Sequence, residues 1–179
     1  NDTDHKVVIK MSDMRKIRTR REIQQAIAEL LLQKPFSKIT VKDIVDKALI
    51  NRNTFYLHYR DKYDLIEQIL TSMIDQADIS VNDFIHQPFY FFQTIMNNTS
   101  AVSKKIIDRQ KKDQAFHEVI LRTVLHIVMK NNGENDAAWF TFGKVSAIMS
   151  WNTEHGYRYS IGRDVKTLQK IYETEKFPK

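Results

Sequence analysis

The chain has 179 residues, 42% of them apolar, which suffices for a buried core in one domain or two small ones. It has no Cys, which excludes a disulfide framework, a thiolate nucleophile and a Cys-ligated zinc site, and its four Gly and three Pro disfavour turn-rich β architecture. No apolar run approaches a membrane span and no secretory signal is visible, so a cytoplasmic protein with no membrane partner is expected.

The charge is uneven. Residues 6–62 carry 14 Lys+Arg against 6 Asp+Glu, a net of +8, whereas residues 63–179 carry 14 of each. A localised basic block is the footprint of a protein that meets a polyanion, although a solvated basic surface fits the charge equally well. His86, His117, His126 and His155 are scattered, with no H-E-x-x-H spacing, so no metal site and no cofactor are expected. No carboxylate arrangement suits general acid/base work. Neither a Gly-rich phosphate loop nor G-x-S-x-G is present, and the chain is not expected to be an enzyme.

Residues 1–13 show no clear period and are expected to form an N-terminal arm, in which Val7, Val8 and Ile9 make a short apolar run. A first helix is predicted over 14–33, with Ile17, Ile23, Ala26, Ile27, Leu30 and Leu31 on one face. Arg15, Lys16, Arg18, Arg20 and Arg21 crowd its first turns; cations there oppose the helix dipole, and a nearby phosphate would relieve them. Thr40 suits the N-cap of a second helix over 41–47. Asp43 sits at its positive end, and Ile39 and Ile44 have the spacing of a hydrophobic staple. Asn51 suits the cap of a third helix reaching about residue 59, and Asp61 that of a fourth over 62–84. Beyond Pro88, helices are predicted over 89–97, over 100–130 in one or two pieces, over 137–155 with Gly156 at the C-cap, and over 164–174. Strand patterns of useful length, repeats and low-complexity tracts are absent. The expected class is all-α, divided into the arm (1–13), a three-helix head (14–62) and a helical domain (63–179).

Helix, short turn, helix, with polar side chains leading the second helix, is the geometry that seats a helix in the major groove. Arg52 and Asn53 stand where bidentate base contacts are made, and Thr54 follows them. Phe55 and Tyr59, four apart, can face inward. Tyr56, His58 and Lys62 would then meet the phosphate backbone as donors.

The stretch from Thr40 to Leu65, TVKDIVDKALINRNTFYLHYRDKYDL, resembles the TetR family of transcriptional regulators, whose DNA-binding domain has the form T-x-x-x-I-x-x-x-A-G-V-S-x-G-T-F-Y-x-H-F-x-x-K-x-x-L. The resemblance implies that Thr40 touches phosphate, that Arg52, Asn53 and Thr54 occupy base- and backbone-reading positions, and that Tyr56, His58 and Lys62 grip phosphate. It also implies a helical C-terminal domain that binds a small-molecule effector and forms a homodimer. Two departures stand out. Leu49 replaces the turn glycine, which stores roughly 1 kcal/mol or more of strain if its φ is positive. Asn51 and Asn53 replace the small Ser and Gly, and Asn53 adds a side chain able to read adenine.

In the helical domain, Phe92, Met96, Phe116, Trp139 and Phe142 are candidates to line an effector pocket, since such sites are apolar with a few polar anchors. An aromatic stripe at helical spacing also fits plain core. The last two predicted helices resemble the place where the family builds its dimer. Val145, Ile148, Met149, Val165, Leu168 and Ile171 are the candidates there, and closure of the monomer's own core is the competing role.

The reading is a sequence-specific DNA-binding transcriptional regulator. It is a homodimer on a near-palindromic double-stranded operator and a repressor released by an effector. The alternative is a co-regulator of the same fold that acts through a protein partner and binds DNA weakly.

Overall fold

A computed structural model describes residues 2–77, 80, 82–133 and 135–178, with side chains described from residue 13 onward except at 77 and 132. The described residues form helices without strands, so the fold is all-α. The chain divides into two compact units, Asn1–Leu65 and Ile66–Lys179.

The first unit, the head, holds α1 (Asp2–Gln33), a 3-10 turn (Phe36–Lys38), α2 (Val41–Ala48), α3 (Arg52–Tyr56) and the start of α4 (Lys62–Ala77). The predicted N-terminal arm is corrected: the helix continues back to Asp2, because no Gly or Pro interrupts the chain before Pro35. The side chains of Val7, Val8 and Ile9 lie outside the described residues. Ile23, Ala26, Ile27, Leu30 and Leu31 are buried as predicted, but Ile17 is 52% exposed, one stripe-length too early to reach the head's core. Phe36, Ile39, Ile44, Val45, Phe55, Tyr59 and Leu65 are the head's other buried apolar residues, with α2 packed on both α1 and α3.

Local chemistry sets each corner of the head. Thr40 and Asp43 close a capping box: the Asp43 N–H donates to the Thr40 hydroxyl oxygen at 3.2 Å, and the Thr40 N–H donates to the Asp43 carboxylate at 2.7 Å. Lys34 pairs with that carboxylate at 2.8 Å. The Lys34 ammonium, followed by the two Thr40 hydrogen bonds, holds the Asp43 pKa at about 2. Leu49 ends α2 in the left-handed region (φ 55, ψ 39), so the strain anticipated from the glycine-to-leucine change is present. Asn51 caps α3 by accepting from the Thr54 N–H at 2.8 Å, and Asp61 accepts from the Tyr63 and Asp64 N–H groups, each at 2.8 Å. The third helix is shorter than predicted, ending at Tyr56, and its backbone continues as a turn through Leu57 and His58.

The second unit continues α4 and adds α5 (Asp83–His86), α6 (Pro88–Asn97), α7 (Ala101–Gln110), α8 (Gln114–Asn132), α9 (Asp136–Glu154) and α10 (Ile161–Thr174). The predicted fourth helix was too long, since Phe84 belongs to the separate α5. The predicted stretch over 100–130 is two helices, because Asp113 breaks the run and caps α8, accepting from the Phe116 N–H at 3.1 Å. The last helix starts three residues earlier than predicted and is kinked at Asp164 (φ −114, ψ 24), whose carboxylate accepts the Ser160 N–H at 2.9 Å.

One apolar core joins α4, α5, α6, α8, α9 and α10. It contains Phe84, Phe89, Phe91, Phe92, Leu125 and Val128, with Phe91 and Phe92 edge-to-face at 5.6 Å. It also contains Val145, Ile148, Met149, Val165, Leu168 and Ile171. The assignment of those six to a dimer surface is therefore corrected: all are buried within their own unit, on the sides of α9 and α10 that face its core. Buried polar side chains close the unit. Asn152 donates to the Tyr159 carbonyl at 2.7 Å and accepts the Tyr159 N–H at 3.0 Å, fixing the α9–α10 loop. Gln169 accepts the Phe89 N–H at 3.3 Å, and the Tyr172 hydroxyl donates to the Ile85 carbonyl at 2.9 Å.

Candidate nucleic-acid interface

The exposed surface of α3 follows from what is buried beneath it. Phe55 and Tyr59 are inaccessible to solvent, with ring centroids 5.7 Å apart, so they anchor this segment to the head. The Gln24 amide donates to the Tyr59 hydroxyl at 3.4 Å, which ties the segment following α3 to α1. Arg52, Asn53 and Tyr56 stand exposed, and Leu57 is 82% exposed beside them. An exposed guanidinium, amide and phenol on one short helix are the donors and acceptors that groove recognition uses.

The remaining predicted contact residues are less free. The Thr54 hydroxyl donates to Asn51 Oδ1 at 3.0 Å, so it reinforces the cap. The Thr40 hydroxyl likewise donates to Asp43 at 2.8 Å, although Thr40 itself is exposed. His58 is half-buried, and burial, then the cations Arg20 and Lys16, lowers its pKa. Those two charges from α1 therefore bear on the end of the recognition helix, and the Arg20 guanidinium lies 5.9 Å from the centre of the Tyr59 ring. In the sequence, Lys16 and Arg20 stand out only as part of a cationic helix start. Their i, i+4 spacing puts them on one side of α1, but which side meets α3 is set by tertiary packing.

Lys62 needs the largest revision. Its ammonium donates to the Phe36 and Ile39 carbonyls, both at 2.8 Å, and to Ser37 at 3.5 Å, and it sits 4.5 Å from the Phe36 ring centre. The charge predicted to meet a phosphate is turned inward to the carbonyls that end the 3-10 turn, where it holds the entry to α2.

The five predicted effector residues sort into separate settings. Phe92 is buried among Phe84 and Phe91, and Phe116 is buried near the start of α8. Met96 is half-buried, with its terminal carbon beside Gly162. Trp139 is exposed and meets Phe142 edge-to-face at 6.2 Å, and Phe142 lies under the Arg122 guanidinium at 5.7 Å. Among the described residues, no group of three His, Asp or Glu side chains is placed to hold a metal ion, and no helix is long and apolar enough to cross a membrane.

A tightly turned α2–α3 pair, capped at both starts and braced by α1, defines a helix-turn-helix DNA-binding domain. Residues 23–69 match the family described as "Bacterial regulatory proteins, tetR family". Over 98 aligned residues the chain is 36% identical to the uncharacterized HTH-type transcriptional regulator YxbF of Bacillus subtilis (strain 168), covering 42% of this chain and 26% of that protein. The chain thus spans about a quarter of that relative's length. A solved structure, the dihydroxyacetone kinase operon activator DhaS, aligns with 89% of this chain and 96% of its own at 17% identity and a TM-score of 0.42. The head of the chain is thus similar, over residues 23–69, to the DNA-binding domain of the tetR family of regulators.

Proposed function

We propose that the chain is a sequence-specific regulator that binds a near-palindromic operator as a homodimer in the cytoplasm, and a repressor released when a small molecule occupies the helical unit. The observation that carries this reading is the surface of α3: Arg52, Asn53 and Tyr56 exposed over a fully buried Phe55 and Tyr59, with Lys16 and Arg20 alongside. Arg52 and Asn53 address base edges. Tyr56, His58 and the two α1 cations meet phosphates, and Thr40 and Thr54 serve chiefly as caps. Lys62 is a positioning residue.

The dimer surface moves to the outer face of α9, where Phe140 (74% exposed), Gly143, Ala147 and Ser150 recur at spacings of three and four beside the exposed Trp139. Small side chains there let a second helix approach closely, which suits a bundle built from two copies. Release follows if effector and DNA favour different separations of the two heads, a reciprocal coupling.

Selection of bound sequences from random duplex DNA, followed by anisotropy titration of the winner against scrambled duplex, tests the reading. A palindromic motif with a specificity ratio of about a thousandfold or more is expected. Folded protein that enriches no motif would favour the co-regulator with a protein partner.

A further inference from the structure

A helix turns by about 100° per residue, so the buried Phe55 and Tyr59 fix which side of α3 faces outward. The side opposite them carries Asn53 and Leu57. These two lie one turn apart, with the Leu57 N–H donating to the Asn53 carbonyl at 3.1 Å. Arg52 and Tyr56 flank this ridge on one side, and Thr54 and His58 on the other. The outermost line of the recognition segment is therefore an amide followed by an isobutyl group that is 82% exposed. Such a group gains nothing from water and cannot donate to a phosphate.

Resting on the sequence-reading function proposed above, the geometry points to Leu57 as a specificity-determining residue that packs on the C5-methyl group of a thymine in the major groove. That methyl is the apolar feature the groove offers. One helical turn rises about 5.4 Å, against about 3.4 Å per base step, so the thymine lies one or two base pairs from the base that Asn53 reads. The division of labour on α3 is consistent with this. Tyr56 on one side, and His58 with the α1 cations Lys16 and Arg20 on the other, carry the chemistry suited to the backbone, and the ridge between them is left for base edges.

The test uses the operator the full chain selects, with each thymine of one half-site replaced in turn by deoxyuridine, which lacks only the methyl group. One position should lose about fourfold in affinity, the worth of one buried carbon group. Leu57→Ala should lose about as much on the thymine duplex and show no further loss on the deoxyuridine duplex. Leu57→Met, which keeps an apolar reach, should retain the discrimination. Leu57 is so exposed that none of these replacements disturbs the fold. A specific operator indifferent to every methyl group, or a deoxyuridine penalty undiminished in Leu57→Ala, overturns the assignment of Leu57 and leaves the operator reading standing. Sequence-blind binding by the folded chain overturns both.

Discussion

The head and the helical unit are both bundles with locally capped helices, but the helical unit adds side-chain bonds of much longer reach. In the head, Thr40 with Asp43, Asn51 with Thr54, and Asp61 with Tyr63 and Asp64 bond within four residues of chain. In the helical unit, Gln169 bonds across 80 residues to Phe89, and Tyr172 across 87 to Ile85. Locally bonded corners fix helix ends while leaving the outer surface of α3 free to vary, which suits a module that must read different sequences. Long-range bonds between buried groups instead lock helices to one another, and changes there disturb the whole body.

The strongest test of this difference removes one buried ring from each unit. Phe55→Ala and Phe84→Ala each delete a fully buried aromatic side chain and should each cost about 3–5 kcal/mol. Amide hydrogen exchange resolves where the cost falls. Phe55→Ala should speed exchange in α2 and α3 and abolish DNA binding while leaving α9 protected; Phe84→Ala should do the reverse. Uniform loss of protection from either replacement would show one cooperative body, and the contrast between the units would collapse.

Lys62 breaks the pattern, as the Gln24–Tyr59 bond across 35 residues also does: it latches the head over 26 residues to Phe36 and 23 to Ile39. Lys62→Met keeps the stem against the Phe36 ring and removes the donor from two carbonyls. The expected cost is about 2 kcal/mol in denaturant unfolding, since hydrogen bonds to charged groups are the stronger kind. The salt slope of DNA binding should stay as it was. If stability held and the slope fell by about one counterion, the ammonium would be a phosphate contact after all.

How much of this was legible depended on how far each signal reaches along the chain. The caps at Thr40, Asn51 and Asp61 were readable because cap and partner lie within one turn. The inward pair Phe55 and Tyr59 was readable from its spacing. The role of Lys62 was not, because its carbonyl partners come from a segment more than 20 residues earlier whose folding no local pattern announces. The dimer residues were misassigned for a related reason. Helix α9 is apolar on two sides, with Val145, Ile148 and Met149 on one and Trp139 and Phe140 on the other, and periodicity alone cannot say which side its own unit covers. The early end of α3 was hidden too, since helix-like hydrogen bonding carries on past Tyr56, with the Leu57 N–H donating to the Asn53 carbonyl and the Tyr59 N–H to the Phe55 carbonyl.

The smallest expected effect concerns backbone strain, where the two units offer a matched pair. Leu49 and Tyr157 have nearly the same left-handed φ, 55 and 56. Leu49 is 91% exposed and ends α2, with the next residue's N–H, Ile50, donating to the Val45 carbonyl at 3.0 Å. Glycine makes that helix ending without a side-chain penalty. Leu49→Gly relieves roughly 1–2 kcal/mol of left-handed strain. Greater freedom of the unfolded chain takes back about 0.4–1 kcal/mol. A net stabilisation of about 0.5–1 kcal/mol follows, read as a higher denaturant midpoint for the head. Tyr157→Gly relieves the same strain, but its ring packs against the core of the helical unit, so the midpoint should fall. Equal shifts in the same direction would mean that backbone strain dominates in both units and that burial does not separate them. A drop for Leu49→Gly alone would mean that the exposed leucine supports the turn through its side chain.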